Sequence, residues 1–90
     1  MHDPGATLAW AKRYVATGDP AAWDAFESWH LCAETRVGPG RWAAAVRDVV
    51  APLAAQSNRA WWRARHVMDT VNTQVLSVSY THLTLPTNGC

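Results

Sequence analysis

Ninety residues with eight Lys plus Arg against seven Asp plus Glu, a formal charge of +1, make room for one small domain and exclude a whole-chain field for gathering polyanions or polycations. Cysteine usage is equally restrictive: Cys32 and Cys90 stand far apart, so neither a disulfide framework nor a metal-binding spacing can be built from them. The opening MHDPGATLAW lacks a basic stretch followed by an apolar core, and no apolar run approaches the roughly 20 residues that span a bilayer, so a soluble, cytoplasmic protein is expected, with no membrane partner.

Asp3-Pro4 announces the first helix, because Asp supplies a side-chain acceptor at the N-cap and proline sacrifices no hydrogen bond in a first turn. This helix is predicted over about Pro4 to Thr17, stopping at Gly18, with Leu8, Ala11 and Val15 at helical spacing and Trp10 and Tyr14 beside them. Asp19-Pro20 repeats the signal for a second helix over about Pro20 to Arg36. Its stripe is Trp23, Phe26, His30, Ala33 and Val37, with Trp29 on the edge, and Gly38-Pro39-Gly40 ends it. The two Asp-Pro starts are too close for a repeat architecture, which needs longer units recurring several times.

A third helix is predicted from near Arg41, with Trp42, Ala45, Val46, Val49 and Val50 buried, ending or kinking near Ala51 because Pro52 cannot donate to the ladder. Ser57 and Asn58 offer caps for a fourth, about Asn58 to Asn72. Here Trp61, Ala64, Met68 and Val71 form the expected stripe, Arg59, Arg63, His66 and Thr70 another face, and Arg65 can pair with Asp69 one turn on.

Sixteen alanines, all before Arg65, favour helix and bury little area each. The six tryptophans therefore decide the balance, each bringing roughly 150 to 250 Å² of buriable surface. A chain this short is marginal unless those rings are mostly interior, and rings left outside await a partner. The expected fold is all-α, a small bundle of three to four short helices over residues 3 to about 74.

From Thr70 onward no residue is charged, and the pattern becomes β-prone and threonine-rich. Residues 78–87, VSYTHLTLPT, resemble the conceptual translation of a transposase-based sequencing-library adapter, matching at every position. The resemblance implies that residues 77–90 are a non-native tail, disordered or arbitrarily placed, to be set aside in reasoning about the fold. It also implies that residues 1–76 are the N-terminal portion of a longer protein. No family is recognised for that portion.

Few residues form a chemical constellation. His30 and Cys32 lie two apart, about 200° around a helix, and cannot easily share an ion. Glu27 with His30, or His30 with Glu34, has better geometry, but two ligands are not a site, and His66 as a base for Cys32 would have to come from a distant helix. No metal, cofactor or catalytic set is therefore assigned. The sharper pattern is NRAWWRARH, where Arg59, Arg63 and Arg65 interleave with Trp61 and Trp62 and could track phosphates and stack a base. Against it, the arginine stems can cover apolar neighbours while their heads stay wet, and Asp48 and Asp69 dilute the charge.

The favoured expectation is a non-enzymatic interaction or assembly module, docking through faces bearing Trp29, Trp62 and the Val46 to Val50 stripe onto a protein partner, a second copy or the remainder of its own chain. The alternative is a nucleic-acid-binding domain using Arg59, Trp62, Arg63 and Arg65.

Overall fold

The computed structural model describes the backbone of residues 3–76 and the side chains of residues 3–72; the expected non-native tail, 77–90, lies outside the described residues. Within them the chain forms four helices and no strand: α1 (Pro4–Thr17), α2 (Pro20–Val37), α3 (Pro39–Ala54) and α4 (Asn58–Leu76). The all-α expectation holds, with all four helices present.

The caps follow from the residue types. Asp3 Oδ1 accepts from the Ala6 N–H at 2.7 Å, Asp19 Oδ1 from the Ala21 N–H at 2.9 Å, and Ser57 Oγ from the Ala60 N–H at 3.0 Å. Each neutralises a donor that a helix start leaves unpaired. Asp19 also accepts from Arg13 Nε at 3.0 Å; the Ala21 N–H first, and then Arg13, lower its pKa. At the other end of α1, Gly18 adopts φ 76°, and its N–H closes onto the Tyr14 carbonyl at 2.7 Å. That left-handed geometry favours glycine because a Cβ would crowd the backbone.

Gly38 alone separates α2 from α3. Its φ of 108° lets its N–H donate to the Glu34 carbonyl while its own carbonyl accepts the Trp42 N–H, both at 2.8 Å. The closing bond of one helix and the opening bond of the next thus share one residue. This places Pro39 at the first position of α3, so the helix starts two residues earlier than expected from Arg41.

α1 packs chiefly on α2 and α3 on α4, and α1 also lies along α3, which makes α1 and α3 the central pair of the bundle. The buried core comprises Ala11 and Val15 of α1, Phe26 and Ala33 of α2, Trp42, Val46 and Val50 of α3, and Ala60, Ala64, Val67 and Val71 of α4. Phe26 and Trp42 are its two large fully buried rings. Alanines on α1, α2 and α4 let those helices approach closely enough to enclose them.

Three expectations need correction. α3 does not end at Ala51 but continues through Pro52 to Ala54. Proline there removes a single donor near the end of the helix, and the preceding stripe of Trp42, Val46 and Val50 holds the segment in place. On α4 the expected Ala64 and Val71 are buried and Met68 packs against the core, but Ala60 and Val67 complete the inward face and Trp61 lies outside at 44% exposure. The physical reason is steric: alanine at 60 and 64 permits close approach to the bundle, which an indole at 61 would prevent. Finally, Val46 is fully buried and Val50 nearly so. Val46 is therefore occupied by the bundle itself, and of the pair only the edge of Val50 reaches the surface, between α3 and α4.

Candidate functional site

Because the interior is narrow, three indoles remain exposed: Trp10 at 38%, Trp61 at 44% and Trp62 at 64%. Neighbours on a helix point about 100° apart, yet Trp61 and Trp62 turn toward each other, ring centroids 4.9 Å apart and planes at 87°. This edge-to-face arrangement holds the pair as one aromatic surface. Trp61 also forms a wall of an open groove of about 310 Å³ between α3 and α4, lined from α3 by Arg47, Val50, Ala51 and Ala54 and from α4 by Trp61, Ala64, Arg65, Met68 and Asp69. Small side chains at 51, 54 and 64 leave that space where larger ones would fill it.

The arginines expected to act together have separate tasks. Arg63 is half-buried, and its Nε donates to the Val15 carbonyl at 3.0 Å, across 48 residues of sequence. Val15 sits in the last turn of α1, where carbonyls lack intrahelical donors and the helix dipole is negative, so Arg63 serves as a cap supplied by α4. Its guanidinium also lies against Gly18, where a Cβ would come within 3.2 Å of Nη1. Arg65 places its guanidinium carbon 5.5 Å from the Trp61 ring centroid and its Nε 3.9 Å from Asp69 Oδ2. The expected pairing of Arg65 with Asp69 is thus present, as a loose and exposed contact of small energetic weight. Arg59 is exposed. Of the four residues expected to bind nucleic acid, Arg59, Trp62 and Arg65 remain on the surface and Arg63 is built into the fold.

Trp29 is half-buried on α2, whereas the groove belongs entirely to α3 and α4, so the structure does not unite Trp29 with Trp62 in one patch.

The residues weighed for catalysis are also dispersed. His30 is buried and stacks on Phe26 at 5.1 Å; Phe26 meets Trp23 at 5.8 Å, and Trp23 meets His66 at 4.3 Å. His66 is exposed on α4 and His30 lies inside α2, with two aromatic rings between them, while Glu27 is exposed and Cys32 buried. Among the described residues no group of three or more His, Cys, Asp or Glu side chains could hold a metal ion.

Sequence reasoning did not foresee a set of buried polar atoms about the α2–α3 corner. His30 Nδ1, Glu34 Oε2 and Trp42 Nε1 are all enclosed without a hydrogen-bond partner among the described residues. His30 and Glu34 are one turn apart on α2, and Glu34 and Trp42 stand symmetrically four residues either side of Gly38. Burial pushes the His30 pKa down to about 4, so its ring is neutral near pH 7, and burial pushes that of Glu34 up. The sequence signals for it were the fall of His30 and Trp42 on apolar stripes and the one-turn spacing of His30 and Glu34.

No protein-family model, curated protein or solved structure matches the chain.

Proposed function

We propose that the protein is a non-enzymatic helical interaction module whose docking face is the α3–α4 groove with its Trp61–Trp62 pair. The observation that carries this reading is the exposure of two contacting indoles beside an apolar groove, in a domain that buries Trp42 completely. Tryptophan is enriched where partners bind, and an exposed pair beside a groove offers the large rigid anchors that such interfaces use. Assembly onto a protein partner is the favoured occupancy.

No described helix is long and apolar enough to cross a membrane, which fits a cytoplasmic location.

The test compares the full chain with its Trp61→Ala/Trp62→Ala variant as immobilised bait. A protein retained by the first and lost by the second, at equal thermal stability of the baits, supports the reading. Retention that does not depend on either indole refutes it. Retention of nucleic acid instead, falling steeply with added salt and weakened by Arg59→Ala/Arg65→Ala, would establish the alternative.

A further inference from the structure

The charges of this chain are divided between its two halves. Residues 3–37 carry five acidic and three basic side chains, whereas residues 38–76 carry five arginines and two aspartates, so α3 and α4 form the positive half of a nearly neutral molecule. The groove shares this bias. Arg47 stands on its α3 wall and Arg65 on its α4 wall, with Asp69 the single acid among the lining residues. Between the arginines lies an apolar floor containing Val50, Ala64 and Met68, and Met is the side chain that repacks most readily around an incoming group.

Resting on the docking role proposed above, we infer that this groove takes an amphipathic helix of a partner protein whose apolar stripe is flanked by acidic residues. Trp61 and Met68 are seven positions apart on α4, about 10.5 Å along the axis. That length corresponds to an i to i+7 pair of anchors, the spacing with which a helix lies in a groove. Carboxylates flanking such a stripe would meet Arg47 on one side and Arg65 on the other. An acidic neighbour would also compete with Asp69 for Arg65, whose present contact at 3.9 Å is long and easily exchanged. Nucleic acid fits less well, because the floor is apolar, Arg63 is committed to Val15, and only Arg47 and Arg65 face the groove.

The test uses the full chain and a displayed library of 16-residue helical peptides, with leucine fixed along one stripe and the flanking positions randomised over Glu, Gln and Lys. Selection is expected to enrich Glu at the flanks. Reversing both arginines in Arg47→Glu/Arg65→Glu should weaken the selected peptides at least tenfold and turn a repeated selection toward Lys; Arg47→Gln/Arg65→Gln, with no new charge, serves if the reversal impairs folding and should abolish the bias. Enriched peptides that need Trp61 and Trp62 but show no charge preference, or a preference that survives the arginine substitutions, overturn the acidic partner while leaving the docking face standing. Absence of any enriched peptide overturns both. Self-association of the full chain that protects Trp62 in sedimentation and fluorescence-quenching measurements would give the groove to a second copy and also overturn the inference.

Discussion

Replacing Arg63 with alanine tests the packing of the bundle at its least expected contact. The side chain donates through Nε to the Val15 carbonyl at 3.0 Å, in a half-buried setting at the C-terminal end of α1. A hydrogen bond to a charged group contributes about 1.5 to 3 kcal/mol, and part of that is the attraction of a cation for the helix end. Arg63→Ala should therefore destabilise by roughly 2 kcal/mol, which for a domain of this size lowers the melting temperature by roughly 8 to 16 °C. Arg63→Lys keeps the charge but not the planar donor and should recover less than half of the loss. Thermal and urea unfolding followed by far-ultraviolet circular dichroism measure both. Gly18 supplies an internal check: Gly18→Ala is strained at φ 76° and crowds the guanidinium, so its cost should be smaller in the Arg63→Ala background, where only the backbone strain remains. A stability change below about 0.5 kcal/mol for Arg63→Ala, the level of ordinary surface substitutions, would refute the capping role.

Other expectations follow from burial. Trp42→Ala empties a fully enclosed site and should cost about 3 to 5 kcal/mol, enough to unfold much of the population, whereas Trp62→Ala should change urea stability by less than about 0.5 kcal/mol. His30 is held neutral with a folded pKa of about 4 against an ordinary 6.5, so the unfolded chain takes up a proton that the folded chain refuses. Stability should accordingly fall as pH drops from 6.5 toward 4, by up to about 3 kcal/mol, and urea titrations at pH 7 and pH 4.5 should show His30→Gln losing less than the parent. Glu34 has the opposite sign: its raised pKa gives stability present at low pH and lost as pH rises through the folded value, so Glu34→Gln should stabilise the protein at pH 7. Pro52→Ala restores a helical donor in α3 and should raise stability by about 1 kcal/mol or more in the same urea assay.

Much of this architecture was legible because its punctuation is local. Asp-Pro pairs and glycines act on bonds three or four residues away, so α1 and α2 could be placed closely before any tertiary contact was known. The phase of α4 was not legible in the same way. Periodicity alone cannot say whether the stripe through Trp61 or the stripe through Ala60 turns inward, since that depends on how closely the neighbouring helices approach. Pro52 placed the end of α3 only to within a turn for a related reason: its penalty is local, but the burial of Trp42, Val46 and Val50 that offsets it is tertiary. For the candidate site, the exposure expected for Trp62 was found, and the exposed Trp61 emerged only with the corrected phase. Arg63 looked like a third phosphate contact because its true partner is 48 residues away in sequence and is a backbone carbonyl, which carries no residue signature.

Central to this account is the division of the indoles between an enclosed Trp42 and a solvent-facing Trp61–Trp62 pair. Fluorine NMR of the 5-fluorotryptophan-labelled chain, assigned by single Trp→Phe substitutions and titrated with a soluble paramagnetic quencher, reads all six rings at once. Strong broadening at positions 61 and 62 with none at 42 is the predicted result. Equal protection of Trp62 and Trp42 in a monomeric, cooperatively folded sample would contradict it.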